Sequence, residues 1–180
     1  MKKLFLLFLL SLNIFALEKL NINDSSLSDD SQALLESISN YAIKVGNGSF
    51  CKTYIFIDPM CPYSQKYIQQ ITKNKKAQEV NSYYIFLYKL PKFNSNKLLQ
   101  HIYQSSNPVE TLKKVMIKHQ DVNLDEVVID ADIQTKINSI ASVASSLKIT
   151  VRPYVMAFQK GSKYCTVSSG PAPCLEENDF

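Results

Sequence analysis

Several residue types are scarce in this chain, and each scarcity argues against a class of protein or a kind of site. The sequence has four glycines, two histidines and a single arginine. The glycines all fall at expected turns, so the chain contains no glycine-rich repeat or low-complexity tract. His101 and His119 lie on different expected helices, without the Cys/His spacing of a metal site. We therefore expect neither a bound metal nor an organic cofactor.

The chain also lacks a strong excess of charge. Its formal net charge is +4, which falls to +2 if Lys2 and Lys3 are lost with the amino-terminal segment. So small an excess does not indicate a protein that neutralises many phosphates. We expect no nucleic-acid partner.

The apolar run near the amino terminus is too short for a membrane span. Residues 4–10 are apolar, Ile14 and Phe15 extend the run, and Ala16 is a small residue suited to cleavage. A membrane helix needs about 20 apolar residues. The pattern is typical of a secretory signal peptide over residues 1–16, so we expect export to the periplasm and no membrane span after cleavage.

The remaining residues predict one α/β domain. Residues 17–44 are expected to form a polar lead-in and a helix, and residues 45–180 the domain itself, with a helical insertion at about 94–130. Apolar periodicity predicts strands at 53–57, 83–88, 154–158 and 163–167, and helices at about 31–41, 61–73, 96–104, 108–119 and 131–148. Strands joined by a helical crossover pair in parallel, whereas the closing hairpin is antiparallel. The prediction is a mixed central sheet flanked by helices.

The most informative segment is Phe56 to Ser64, with the sequence FIDPMCPYS. It predicts a buried strand, a sharp turn, and then Cys61 at the start of a helix. A helix amino terminus offers unpaired N–H groups and a positive dipole, which favour a thiolate. Pro62 suits the first turn of a helix. We predict that Cys61 is a redox nucleophile; the alternative is a buried, inert cysteine.

A second segment, Val151-Arg152-Pro153-Tyr154, predicts a loop that faces the cysteine. A proline that opens a strand after a helix and a short linker is a candidate for a cis peptide bond. Such a bond can bring backbone groups beside a helix-start cysteine and leave an edge on which a substrate chain can pair. A guanidinium at Arg152 would favour the thiolate and could bind a carboxylate. The alternative is a trans proline with a solvated arginine.

These segments resemble a known family. Residues 54–63 are similar to the active-site strand and turn of periplasmic thiol–disulfide proteins with a thioredoxin fold, above all the catalytic domain of the DsbC/DsbG protein disulfide isomerases. Residues 46–50, 96–119 and 141–156 resemble that family's turn before the strand, its helical cluster and its cis-proline strand. The resemblance implies a thioredoxin-like fold. The implied catalytic residues are Cys61, Ser64 and Pro153, and the implied substrate-binding residues are Pro62, Tyr63, Val151 and Arg152.

Three features depart from the family pattern. Ser64 replaces the second active-site cysteine, and Arg152 stands where the family usually has Thr or Val. The chain also lacks room for the family's amino-terminal dimerisation domain, so a monomer is the default expectation.

Ser64 has a definite chemical consequence. A hydroxyl cannot resolve a mixed disulfide, so Cys61 and Ser64 cannot cycle as a dithiol, although Ser64 can still donate a hydrogen bond to the thiolate. Exchange remains open, because a substrate thiol can displace Cys61 from the mixed disulfide. We expect monothiol, isomerase-like exchange on exported cysteine-containing proteins, with a periplasmic or membrane redox partner.

Ser64 also favours a function of another class. A redox-inactive chaperone or envelope-assembly module would use the groove beside Pro153 to bind exposed peptide. A peroxide- or glutathione-linked monothiol enzyme is a third alternative.

The other cysteines, Cys51, Cys165 and Cys174, are candidates for a resolving thiol or a structural disulfide. Disulfides persist in exported proteins, but sequence alone does not fix their pairing. The pairs Cys51–Cys165 and Cys165–Cys174 both remain open, as does a remote resolving role for Cys174.

Overall fold

The computed structural model of the protein describes residues 29–162 and 165–169. The predicted signal peptide and Cys174 lie outside these residues. The elements, in chain order, are α1 (Asp29–Ser37), a short 3-10 helix (Ser39–Tyr41), β1 (Ile43–Val45), β2 (Cys51–Ile57), α2 (Pro62–Lys73), α3 (Lys75–Val80), β3 (Asn81–Leu87), α4 (Asn96–Gln104), α5 (Pro108–Met116), α6 (Ala131–Ser146), β4 (Tyr154–Gln159) and β5 (Cys165–Ser168).

The five strands form one sheet in the order β1-β3-β2-β4-β5. β2 and β3 run parallel, as the helical crossover between them requires, and the other three neighbouring pairs are antiparallel. The predicted mixed sheet flanked by helices is therefore confirmed. The central position of β2 directs its carboxyl end, and the turn that follows, to the middle of one sheet edge.

The core is built on the two parallel strands. Residues 53–57 of β2 are all buried, because neighbouring strands and packed helices enclose them. The rings of Tyr54 and Phe86 stack with their centroids 6.3 Å apart. Leu35 and Ile38, in the segment expected to be a polar lead-in and a helix, also belong to this core. Burying side chains of this size stabilises the fold by about 1.5–3 kcal/mol each.

The sequence did not predict β1 or α3, because neither element has an apolar repeat long enough to detect. β1 has three residues and is defined by its pairing with β3, in which Ile43 lies opposite Ile85. α3 has no buried residue, and its amino end is capped by Asn74, whose side chain accepts a hydrogen bond from Ala77 N–H. The predicted helix at 31–41 is also divided, since α1 ends at Ser37.

Polar contacts attach α4 to the sheet and to α6. The Leu87 N–H, at the end of β3, donates to the Tyr103 hydroxyl on α4 at 3.1 Å. The buried side chain of Gln100 donates to Gln134 Oε1 and accepts from Asp130 N–H, which joins α4 to the start of α6. Within the described residues, no helix has both the length and the apolar character needed to cross a membrane.

The structure contradicts both disulfides considered for Cys165. Cys165 is a free, buried thiol, whereas Cys51 is disulfide-bonded. Cys51 lies opposite Gln159 and Cys165 lies opposite Phe158. Because successive residues of β4 face opposite sides, the two cysteines lie on opposite faces of the sheet. Their strands are also separated by β4, or about 9.5 Å, beyond the reach of roughly 7 Å between bridged Cα atoms.

The turn before β2 generates a stability prediction. A Cβ atom on Gly48 would overlap the backbone carbonyl of Val80, whereas one on Gly161 meets no atom within 4 Å. We expect Gly48→Ala to lower the free energy of unfolding by about 3 kcal/mol. Gly161→Ala, which is strained only by its positive φ of 80°, should cost about 1 kcal/mol. Denaturant titration measures both, and equal losses would contradict the predicted overlap.

Candidate functional site

The turn between β2 and α2 is closed by hydrogen bonds to Asp58. The Cys61 N–H donates to the Asp58 carbonyl at 3.0 Å, and the Met60 N–H donates to Asp58 Oδ1 at 2.8 Å. An aspartate side chain that accepts from a backbone N–H two residues on forms an Asx-turn. This geometry places Cys61 at the N-cap of α2 with extended backbone angles and Pro62 in the first turn, as predicted.

No side chain caps the amino end of α2. The first N–H groups of a helix have no intrahelical partner, and Pro62 contributes none, so the N–H groups that follow remain at the cysteine end of the helix. Together with the helix dipole, they favour negative charge at Cys61. The local chain therefore leaves the amino end of α2 open at Cys61.

The cis-proline loop lies directly against the cysteine. The Arg152–Pro153 peptide bond is cis, which confirms the prediction. Cys61 Sγ donates a hydrogen bond to the carbonyl oxygen of Arg152 at 3.6 Å, across 91 residues of sequence. The Cys61 residue is 3% exposed. The two motifs identified in the sequence thus meet in one place.

The Arg152 side chain points away from solvent and anchors a neighbouring loop. Its Nε donates to the Tyr88 carbonyl at 2.9 Å, and its Nη2 donates to the Lys89 carbonyl at 3.4 Å. The guanidinium carbon lies 3.6 Å from the centroid of the Tyr88 ring, a cation–π contact. The solvated arginine considered from sequence is therefore wrong, since only 7% of the residue is exposed.

Asp58 also belongs to the site, although it is not among the site residues predicted from the sequence. Its carboxylate is fully buried and, besides Met60 N–H, accepts from Leu90 N–H and from the Ser95 hydroxyl at 3.0 Å. A charged residue that directly ends an apolar strand was the available signal. The carboxylate connects the active-site turn to the loop at residues 88–95, the same loop that Arg152 holds.

Burial and neighbouring groups shift the pKa of Arg152 in opposite directions. Burial lowers the pKa of its guanidinium, and interactions with Tyr88, Asp58 and Cys61 oppose that shift. Asp58 and Arg152 thus supply the charged groups around Cys61, and neither is open to solvent. Charged groups in such a position interact more strongly than groups at the surface, because there is little water between them to screen the attraction.

Ser64 is fully buried, and its hydroxyl accepts a hydrogen bond from Asp58 N–H at 3.4 Å. Between the described residues Ser64 and Cys61 there is no hydrogen bond. The hydroxyl therefore supports the turn through Asp58.

Three large exposed side chains lie on the two segments that meet at the thiol. Tyr63 is 75% exposed, and Met60 and Val151 are also exposed. Met60 and Tyr63 flank the cysteine turn, and Val151 precedes Arg152 in the cis-proline loop. Exposed apolar groups beside a reactive centre are typical of a surface that contacts another molecule. We call these three residues the apolar rim.

No second thiol of the described chain is within reach of Cys61. Cys51 lies at the opposite end of β2, six residues or about 20 Å from Ile57, and is already disulfide-bonded. Cys165 lies near the same far end, in register with Phe158, which pairs with Lys52. Within the described residues, Cys61 therefore lies apart from the other cysteines.

In sequence, the chain matches no protein-family model and no curated protein. In structure, it is similar to a disulfide interchange protein from Neisseria gonorrhoeae, with a TM-score of 0.56 and 21% identity over 77% of this chain and 93% of that one. It is also similar to DsbG from Helicobacter pylori, with a TM-score of 0.55 and 21% identity over 72% of this chain and 62% of that one.

A third similar structure is DsbA2 from Pseudomonas aeruginosa, with a TM-score of 0.58 and 12% identity over 72% of this chain and 86% of that one. At such low identities the likenesses establish the fold. The chain has a thioredoxin-like fold, a mixed five-stranded sheet flanked by helices, as predicted.

Replacing Arg152 tests its role as the anchor of the site. Arg152→Met removes both hydrogen bonds to the 88–89 carbonyls and the charge, so we expect a loss of about 3 kcal/mol in the free energy of unfolding. Arg152→Lys keeps the charge but not the planar fork. If the charge favours the thiolate, iodoacetamide should alkylate Cys61 more slowly in the Met variant than in the Lys variant at mildly acidic pH. Equal alkylation rates in the two variants would contradict the electrostatic role.

The buried thiol of Cys165 generates a second prediction. Burial raises the pKa of the Cys165 thiol to about 12. Because the thiolate is the nucleophile, iodoacetamide at a pH of about 9 should modify Cys165 about a hundredfold or more slowly in the folded protein than in the unfolded chain. The rate should increase as the pH approaches that raised pKa. Peptide mass spectrometry identifies the modified residue, and equal rates in the two states would exclude the protected position.

Proposed function

We propose that this protein is an exported thiol–disulfide exchange protein that acts on other cysteine-containing proteins through Cys61 alone. The observation that carries the proposal is one free thiol at the amino terminus of α2, in contact with the carbonyl before a cis-proline. Ser64 at the position of a resolving thiol supports a monothiol route. The thioredoxin-like fold is compatible with this chemistry but does not by itself specify it.

The first step is attack on a substrate disulfide. Cys61 Sγ loses its proton to solvent, and the thiolate is stabilised by the α2 N–H groups and by Arg152. The thiolate attacks one sulfur of the substrate, so that an Sγ–S bond forms as the substrate S–S bond breaks. The departing sulfur takes the electron pair and is protonated. The product is a mixed disulfide between Cys61 and the substrate.

The second step releases Cys61 without a second thiol of this chain. Another substrate thiolate attacks the substrate sulfur of the mixed disulfide and forms a new substrate disulfide, and Cys61 leaves as a thiolate. The substrate ends with the same number of disulfides, differently paired. This is isomerisation, and it needs no net oxidant; a reducing partner would be required only to recover Cys61 after accidental oxidation.

Export is part of the proposal. The charged and apolar pattern of residues 1–16 supports a signal peptide, and the disulfide at Cys51 supports an oxidising compartment such as the periplasm. The apolar rim supports a protein substrate, because an exposed polypeptide offers matching apolar side chains beside its cysteines.

A redox-inactive binding module is the second candidate, and the low exposure of Cys61 favours it. With 3% of the residue exposed and its S–H donated to Arg152, the thiol is covered in this conformation. The apolar rim would then bind extended peptide without covalent chemistry.

Substitution of Cys61 separates the two candidates. We expect Cys61→Ala to reduce the refolding of a disulfide-scrambled substrate protein to the uncatalysed rate, because no other free thiol of the described chain lies at the site. Cys165→Ala, a matched removal of a buried thiol, should retain activity if it folds, as circular dichroism can establish. Refolding that survives in Cys61→Ala, or that is absent from the wild type while peptide binding remains, would favour the binding module.

Ser64→Cys provides the converse test. A thiol at this position would restore an intramolecular dithiol, so we expect mixed disulfides with substrate to become shorter-lived, because the introduced thiol can attack Cys61 and form an internal disulfide with it. Non-reducing electrophoresis measures trapped complexes. Complexes that persist equally in the wild type and the variant would contradict the idea that Ser64 is what prevents internal resolution.

A further inference from the structure

The segments that form the surface around Cys61 are basic. They are residues 59–73, 88–97 and 147–153, which comprise the turn with α2, the loop before α4 and the cis-proline loop. Together they contain six lysines and one arginine, and no aspartate or glutamate. Lys66, Lys89, Lys92 and Lys148 are exposed. We call these four residues the basic face.

Hydrogen bonds connect one segment of the basic face to the thiol through Arg152. The Lys89 carbonyl accepts from Arg152 Nη2, and the Arg152 carbonyl accepts from Cys61 Sγ. Lys66 follows Tyr63 by three positions on α2 and therefore lies on the same exposed side of the helix. The positive charges and the apolar rim are thus interleaved.

The acidic residues of the described chain lie elsewhere or are neutralised. Asp58 is buried, and its carboxylate accepts hydrogen bonds from Met60 in the turn and from Leu90 and Ser95 in the loop before α4. Glu36 pairs with Lys52 at 2.6 Å, and Glu110 pairs with Lys113 at 2.6 Å. Glu79 lies on α3, before the start of β3 and so away from the carboxyl ends of the parallel strands. Most others are in the connector and helix start at residues 121–132. Acidic residues on the segments around Cys61 therefore do not cancel the positive charge of the basic face, because these segments contain none.

We propose that the basic face selects polypeptide substrates whose reactive cysteine is flanked by acidic residues. This inference rests on the proposed function and adds to it the substrate class. Clustered charge of one sign raises the local concentration of oppositely charged partners and speeds their association by roughly 10- to 1,000-fold, in a salt-dependent way. The apolar rim favours a polypeptide over a small anion, because a polypeptide has apolar side chains that can pack against the rim and a small anion has none.

Three synthetic peptides test the selection. Each carries one central cysteine as a mixed disulfide with thiopyridine, in the same apolar context, flanked by four glutamates, four glutamines or four lysines. The Cys61 thiolate attacks the peptide sulfur, the peptide–thiopyridine S–S bond breaks, and thiopyridone leaves with the electron pair and takes up a proton. Its absorbance reports the rate. At low ionic strength we expect the acidic peptide to react about tenfold or more faster than the basic one.

Salt and charge reversal provide the controls. The preference should fall towards unity at molar salt, because the screening length is then about 3 Å. Lys66→Glu/Lys89→Glu should abolish or invert it, whereas Lys118→Glu/Lys160→Glu, an equal charge change at exposed positions on other segments, should not. Alkylation of Cys61 by neutral iodoacetamide corrects for any change in thiol reactivity.

The outcomes separate failure of this inference from failure of the proposed function. Equal rates for the three peptides, or a preference that both double variants change alike, would overturn the substrate class while leaving exchange intact. Oxidised glutathione reacting as fast as the acidic peptide would overturn the polypeptide assignment in favour of small anionic disulfides. If no peptide reacts although iodoacetamide alkylates Cys61, the proposed function itself fails.

Discussion

The carboxylate of Asp58 accepts hydrogen bonds from three segments: Met60 in the turn, Leu90 in the loop after β3, and Ser95 at the start of α4. A buried carboxylate is stable only when its oxygens are satisfied and a positive charge lies near. The hydrogen bonds meet the first need, and Arg152 meets the second. The position of Cys61 depends on this arrangement, because the same residue closes the turn through its carbonyl.

The thiols of the chain are kept apart by sheet geometry. Cys61 lies beyond the carboxyl end of β2 and Cys51 at its start, so the length of the strand separates the reactive thiol from the disulfide-bonded one. Cys165 faces the other side of the sheet from Cys51 and is buried there. Among the described residues, one thiol lies at the carboxyl end of the parallel strands, which is the arrangement that the proposed exchange requires.

Much of this arrangement could be predicted from sequence because it depends on local signals. An apolar strand, a turn and a proline after cysteine are short-range patterns, and they located Cys61; a proline at a strand start located the cis bond. The direction of the Arg152 side chain could not be predicted, since its partners are carbonyls 63 and 64 residues away. The pairing of Cys51 and the existence of β1 likewise depend on contacts between distant segments.

Both the backbone and the side chain of Arg152 make contacts at the site. Its backbone carbonyl receives the Cys61 thiol, and its guanidinium holds the loop at Tyr88 and Lys89. A smaller residue at this position could keep the first contact but would leave two loop carbonyls without their donor. Because the guanidinium also lies over the Tyr88 ring, the same replacement would uncover one face of that ring, so residue 152 controls the packing of the loop as well as the cysteine contact.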